Sequence, residues 1–378
     1  MMLSPDHVMV RDAVRDFARA EIAPLAAEWD RHCTFPKAAL TGLAQLGCFG
    51  VTVPEIYGGA GMDTLALSVI LEEIAAADGA VSTIISVNNC PVCSILEGFA
   101  NDAQKEEWLR PLARGDMLGA FCLTEPAVGS DAGRLSTRAD AIQDGFVLNG
   151  VKQFITSGKN ADVAIVLAVT DKSAGKRGIS AFLIPTTAKG YIVARLEEKL
   201  GQHASDTAQI LFEDCFVPRE NMIGTEGAGY RIALAGLEGG RIGIASQALG
   251  MARAAFDLAL AYANDRESFG VKLFEHQALQ FRLADLATQL EAARHLIWHA
   301  ASLRDAKVPC LKEAAMAKLF ASEMAERVCS ESLQVFGGYG YVNDFPVERI
   351  YRDVRVCQIY EGTSDIQKIL IGRALRPH

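Results

Sequence analysis

Gln358–Gln367 reads QIYEGTSDIQ, and the residue types in it set what the rest of the chain must support. A carboxylate, Glu361, follows the apolar pair Ile359 and Tyr360 and precedes Gly362, Thr363 and Ser364. Gly362 admits backbone conformations that a β-carbon forbids. Thr363, Ser364 or Asp365 can cap the helix that Ile366, Ile369 and Leu370 suggest. Glu361 then stands on a short turn beside apolar surface, where burial raises a carboxyl pKa toward the range useful to a base or acid near neutral pH. Read alone, the stretch first suggests one of the chain's 46 acidic residues facing water at a helix start.

Outward from this turn, the chain after Gly229 is helical in pattern. Leu279, Leu283, Leu286, Leu290, Ala293 and Ile297 form a stripe of helical period. Helices near 230–264, 277–304, 312–336 and 364–375 predict an antiparallel bundle. Upstream, Met117–Leu123, Gly145–Asn149, Asp162–Thr170, Gly178–Pro185 and Thr207–Phe212 are short, β-rich and separated by turn residues, which predicts an antiparallel all-β domain. Residues 1–115 return to helical spacing, with Val10, Val14, Phe17, Ala18, Ile22 and Leu25 on one face and Pro24 at a kink or end. The fold class is α+β: an N-terminal all-α domain (1–115), a middle β domain (116–228) and a C-terminal helical bundle (229–378).

The 378 residues, half of them hydrophobic and 22% charged, describe an ordinary soluble globular protein with a sizeable core. The net charge of −9 argues against a nucleic-acid groove but not against an anionic ligand met by a few local arginines. The longest apolar run, near Val163–Val169, is far too short to span a membrane, and the N-terminus carries neither a signal nor an Arg-rich transit pattern. A cytoplasmic, bacterial protein is expected. Nine scattered cysteines suit a reducing compartment. Cys90 and Cys93 have C-x-x-C spacing without a second pair or a thioredoxin-like context, so neither redox nor metal chemistry is expected there. His295 and His299, four apart on a helix but without an HExxH glutamate, read as a surface or interface pair, so no metal site is predicted.

Other stretches carry small, hydroxyl or basic residues that could meet a ligand, each with a plain structural reading beside it. LTEP (Leu123–Pro126), running to Gly129-Ser130-Asp131, ends a strand where backbone can be approached closely; by itself it is a turn. KQFITSG (Lys152–Gly158) is otherwise a core strand and a turn. Glu238-Gly239-Gly240-Arg241 opens a helix of small residues suited to close packing. Arg266, followed by Phe269 and Gln277, offers a guanidinium fork for phosphate, or simply a capping charge. QVFGG (Gln334–Gly338) reads as a glycine-rich helix stop. No G-x-G-x-x-G follows a strand, so a Rossmann domain is excluded.

Together, IYEGTS with the preceding VERIYRD (Val347–Asp353), and these stretches in this order, resemble the acyl-CoA dehydrogenases, with the short-chain (butyryl-type) members nearest. The resemblance covers nearly the whole chain. It implies FAD as cofactor, with Phe121, Leu123, Thr124, Gly129, Ser130, Phe154, Ile155, Thr156, Thr363, Ser364 and Asp365 contacting it. Phe154 stands where the family usually has tryptophan. Arg266, Phe269, Gln277, Gln334, Val335, Phe336, Gly337 and Gly338 would meet the FAD of a neighbouring subunit or line its site. Ser130, Glu238, Arg241, Tyr360 and Gly362 are implied on the substrate side. Glu361 is implied as the base that takes the α-proton of an acyl thioester; some relatives carry that glutamate at the position of Gly240.

The resemblance further implies a homotetramer that passes electrons to electron-transfer flavoprotein, with a short straight or 2-methyl-branched acyl-CoA as substrate, in fatty-acid β-oxidation or branched-chain amino-acid breakdown. The alternatives are an acyl-CoA oxidase that uses oxygen, or a CoA-ester-binding or scaffold protein without catalysis. Neither a nucleic acid nor a membrane is expected as partner.

Overall fold

The computed structural model describes residues 2–376, and its long central helix, Gly229–Asp265, explains the arrangement of the rest. That helix is apolar or small on several faces, so it is buried between the N-terminal helix Thr64–Ala77 on one side and the bundle helices Gln277–Asp305 and Leu311–Phe336 on the other. Local caps fix where the N-terminal helices begin. Ser4 and His7 form a reciprocal capping box on Pro5–Phe17, Asp63 caps Thr64–Ala77, and Asp78 caps Gly79–Val87. Buried carboxylates Glu72 and Glu73 then tie the N-terminal and C-terminal helices together through Arg15, Arg253 and Arg294.

The middle region is a sheet of β1 (Gly119–Cys122), β2 (Arg138–Ile142), β3 (Gly145–Thr156), β4 (Val163–Val169), β5 (Ile179–Pro185), β6 (Tyr191–Leu196), β7 (Thr207–Pro218) and β8 (Met222–Ile223). Its order is β6-β7-β3-β2-β4-β5-β8, with β1 also against β4. The pairing is antiparallel except where β1 and β2 run parallel to β4, from Gly119 opposite Val163 and at Arg138 opposite Val169. The β4 and β5 interiors are apolar and fully buried, while β2 and β6 are largely exposed. The exposed strands lack the alternation that reveals a strand in sequence, which is why the pattern predicts neither of them.

Two further differences from the sequence pattern bear on the site. The apolar stretch Gly79–Phe99 is not one regular helix: Gly79–Val87 and Ser94–Phe99 are joined by a wide turn, Asn88–Cys93, in which Cys90 leaves helical geometry. Gly79–Phe99 is long and apolar enough to cross a membrane, but 89% of its most apolar window is buried inside the protein. Val347–Val354, read only as a motif, is a helix whose buried Arg349 pairs with Asp78 at 2.8 Å. Its apolar residues are interrupted by charges that are themselves buried, so the sequence looks like surface.

Candidate active site

A cleft of about 660 Å³ lies where the β domain, the wide turn, the central helix and the Gln358–Gln367 segment meet. Phe121, Leu123, Thr124, Gly129, Ser130, Phe154, Ile155 and Thr156 line its β wall; Arg241, Tyr360, Glu361, Gly362 and Thr363 line its helical wall. Residues far apart in the chain, chosen from motifs alone, therefore face one space.

Glu361 stands on an unusual turn. It takes φ +54° and Gly362 takes φ +87°, two successive left-handed residues, the first with a side chain. The turn is held from below: Lys318 Nζ donates to the Gly362 carbonyl at 2.7 Å, and Gln367 Nε2 donates to the same oxygen at 2.8 Å and to the Glu361 carbonyl at 3.2 Å. Thr363 caps the helix Ser364–Ala374. The residue as a whole is only partly covered, yet its Oε2 is sealed from solvent and has no hydrogen-bond partner. Burial pushes the Glu361 carboxyl up to about 7, opposed by the positive charges of Arg241 and Lys318. Across from it, the central helix has no side chain at Gly240, where a Cβ would lie 2.8 Å from Oε2.

Neighbouring Tyr360 anchors the turn to the core. Its Oη donates to Gln247 Oε1 at 2.7 Å; Gln247 Nε2 donates to Thr83 Oγ1 at 2.5 Å, and Thr83 Oγ1 donates to Gln202 Oε1 at 2.7 Å. On the β wall, the β3–β7 register shifts between Lys152 and Ile155. That irregularity turns Phe154 outward at φ +61°, leaving it 62% exposed in the cleft. Behind it, Lys152 Nζ meets Glu125 Oε1 at 2.8 Å with both side chains at most 1% exposed. Glu125 also accepts from the N–H groups of Ser136 and Thr137, and Lys152 with these bonds holds its carboxyl down at about 2 against the cost of burial.

The remaining predicted residues lie elsewhere. Arg266, Val335, Phe336, Gly337 and Gly338 line a second, open cavity of about 680 Å³ with Tyr262 and Tyr339. Phe269 is 99% exposed at φ +53°, and Gln277 and Gln334 are exposed on the same bundle. Glu238 turns toward Arg304 and Cys310, although its neighbours Leu237 and Arg241 line the cleft. Ser364 and Asp365 stand at the helix start beside the cleft, with Ser364 Oγ buried and unpartnered. Cys90 and Cys93 are buried, their thiols pushed up by desolvation, and among the described residues no group of three metal-ligating side chains forms.

Sequence reasoning missed Lys318, Gln367, Gln247 and the Lys152–Glu125 pair. A signal existed for Lys318: it is the one charge in a buried helical stripe of Ala314, Ala317, Ala321 and Ala325. The others needed the tertiary fold to bring their partners together.

Family models for the acyl-CoA dehydrogenase N-terminal, middle and C-terminal domains match residues 4–116, 120–215 and 227–376. The mouse mitochondrial short-chain specific acyl-CoA dehydrogenase is 47% identical over 377 residues, covering 100% of this chain and 92% of that protein. The solved butyryl-CoA dehydrogenase of Megasphaera elsdenii superimposes with a TM-score of 0.97 at 41% identity, covering 99% of each chain. A chain from the structural work on the electron transferring flavoprotein of Acidaminococcus fermentans gives a TM-score of 0.98 at 43% identity over 100% of both. The chain belongs to the acyl-CoA dehydrogenase family of FAD-dependent oxidoreductases.

Proposed function

We propose that this enzyme converts a short straight-chain or 2-methyl-branched acyl-CoA to the trans-2-enoyl-CoA, with Glu361 as the base. The observation that carries this reading is the Glu361 carboxylate, with Oε2 sealed from solvent and free of hydrogen bonds, poised near pH 7 on the wall of the cleft. A buried carboxylate with no internal partner is costly to keep unless it has work to do.

The residues present fit FAD. An aromatic ring held out into the cleft at Phe154, the hydroxyls of Thr124, Ser130 and Thr156, and the unpartnered Ser364 Oγ beside it suit a flat polar ring system. The chemistry the cofactor supplies when bound is acceptance of the hydride that leaves the β-carbon. The chain's own residues do the rest. Glu361 takes the α-proton at its carboxylate, and its backbone N–H donates to the thioester oxygen as charge develops there. Arg241 and Lys318 keep enough of that carboxylate ionised at neutral pH. Val87, Pro91, Leu234 and Leu237 line the cleft with apolar surface and exclude water from the acyl chain.

Arg266, Phe269, Gln277 and Gln334–Gly338 would serve the cofactor of a neighbouring subunit in a homotetramer. The separation of their cavity from the cleft within one chain supports this. Electron-transfer flavoprotein is the proposed electron acceptor.

The test is an anaerobic visible spectrum of the holoenzyme with a panel of acyl-CoAs. Bleaching by butyryl-CoA but not palmitoyl-CoA is expected. Bleaching that air reverses rapidly would point to an oxidase; a flavin bleached by no thioester would overturn the substrate class. Glu361→Gln should keep FAD and ligand binding while turnover falls about 10²–10⁴-fold; retained turnover would remove Glu361 from the role of base.

A further inference from the structure

We propose that Lys318 is a positioning residue of this reaction: its buried ammonium clamps the Glu361–Gly362 turn through the Gly362 carbonyl and holds the Glu361 carboxylate toward its charged form. The inference rests on the reading of Glu361 as base and assigns that base an electrostatic and mechanical support.

Among the described residues, two lysines, Lys152 and Lys318, are wholly buried. A lysine is seldom buried unless its charge is matched. Lys152 is matched directly by Glu125 at 2.8 Å. Lys318 makes no ion pair within the same reach among the described residues; its hydrogen bond goes to a carbonyl, that of Gly362. A carbonyl satisfies one donor but does not neutralise an ammonium. Burial brings Lys318 down to about 8 while Cys357 and Glu361 oppose the fall, and since burial keeps the Cys357 thiol protonated, the compensating negative charge is Glu361, one residue before that carbonyl.

The mechanical half follows from the backbone. Glu361 occupies a left-handed conformation that costs free energy for any residue with a side chain. Such a conformation persists only where its surroundings hold it, and here the holding groups are Lys318 and Gln367, which share the Gly362 carbonyl. The helix Leu311–Phe336 thus sets the position of the carboxylate without touching the cleft.

The charged and titratable groups around the pair are few. Arg241 faces it from the central helix, Cys90 from the wide turn, Cys357 and Tyr360 from the approach to Glu361, and Glu323 from the helix of Lys318 itself, while Glu238 is turned away to Arg304 and Cys310. Burial keeps both thiols and the phenol neutral at working pH. Glu323 is turned to Lys368 at the surface. Lys318 and Arg241 therefore supply the positive charge that Glu361 feels.

The test is the pH dependence of α-hydrogen exchange of butyryl-CoA into D2O, followed by NMR on the holoenzyme, beside kcat/KM against pH. Lys318→Gln keeps a neutral donor near the Gly362 carbonyl and loses the charge, so the acid limb of both profiles should move up by half a pH unit or more. Lys318→Met loses charge and clamp, and should add a tenfold or greater loss of exchange on the pH plateau. Gln367→Leu loosens the clamp alone, lowering the plateau and leaving the limb in place. FAD content and Tm report folding; if Lys318→Met does not fold, Lys318→Gln and Gln367→Leu still separate the two halves. Wild-type limbs in Lys318→Gln would overturn the proposal. Exchange that survives in Glu361→Gln would instead overturn the reading of the base, whatever the lysine variants do.

Discussion

A Cβ at Gly240 would lie 2.8 Å from Oε2 of Glu361 and 2.9 Å from its Cδ, so the central helix presents bare backbone to the carboxylate. No side chain at position 240 can coexist with Glu361 where it now stands. Real Cβ atoms essentially never come so close, so the carboxylate, the far end of a flexible side chain, would have to move while the clamped turn keeps its backbone in place.

Gly240→Ala is therefore expected to fold, with the carboxylate displaced by the new methyl. A shift approaching 1 Å at a reacting group costs about 10²-fold in rate. Stopped-flow reduction with butyryl-CoA measures it, with FAD content as the control. The complementary double variant, Glu361→Gly with Gly240→Glu, vacates one position and fills the other. It should recover at least about tenfold of the turnover lost in Glu361→Gly alone, within the range general-base catalysis contributes.

The pH profile carries its own sign. As the proposed base, Glu361 can work only when ionised, so kcat/KM should fall about tenfold per pH unit below its value of about 7. Stability runs the other way. The folded carboxyl lies above its ordinary 4.5, so ionising it costs the folded state: nothing below 4.5, progressively more to 7, and the full cost above. Glu361→Gln should be the more stable protein at pH 8, by up to about 3 kcal/mol, with the gap closing by pH 4.5. Urea melts at the two pH values check this.

Lys152→Met removes the charge that matches a fully buried Glu125. Breaking such a pair costs about 3–5 kcal/mol, since it strands the remaining ion. Because Glu125 also accepts from Ser136 and Thr137, the loop from Leu123 to Ser130 should loosen with it, and FAD retention through gel filtration should fall. Glu125→Gln combined with Lys152→Met is expected to be less destabilised than Lys152→Met alone, read from thermal melts.

Phe154→Ala separates cofactor binding from folding. The ring is mostly exposed, so its loss should leave the Tm of the apoprotein within a degree or two. The stacking surface it offers is worth about 1 kcal/mol, which predicts a several-fold weaker FAD affinity. Phe154→Trp should bind FAD at least as well as the parent. Equal affinities in all three proteins would take Phe154 out of the flavin site.

The three-part order, the apolar strands β4 and β5 and the bundle helices were legible because their burial is one-sided or complete, and burial of that kind writes a period into the sequence. The exposed strands β2 and β6 and the charged helix Val347–Val354 were not, because their residues are placed by neighbours and not by their own pattern. The site divides the same way. Residues in compact motifs, such as Leu123, Thr124, Gly129 and Ser130 or Phe154–Thr156, could be named from the chain and do face the cleft. The supports could not be paired with what they hold, even though Lys318 shows as a lone charge in an alanine stripe. Lys318 is 43 residues from Glu361 and Glu125 is 27 from Lys152, and nothing local in either segment announces its partner.

The small residues of the central helix also limit what this cleft can become. A Cβ at Gly236 would strike Ile95 and Pro91, one at Gly239 would meet Cys90 Sγ at 3.0 Å, and one at Gly243 would meet Ser86 Oγ at 2.8 Å. That helix face is already at the lower limit of residue size. Mutation at these glycines can only push the helix away from the wide turn and its flanking helices, so the seam behind the cleft is fixed. Room for a longer chain has to come from the side chains that line the cleft: Leu234, Leu237 and Ile244 on the same helix, and Val87 and Pro91 opposite. Adaptation to bulkier thioesters should therefore concentrate at those lining positions and leave the glycines untouched.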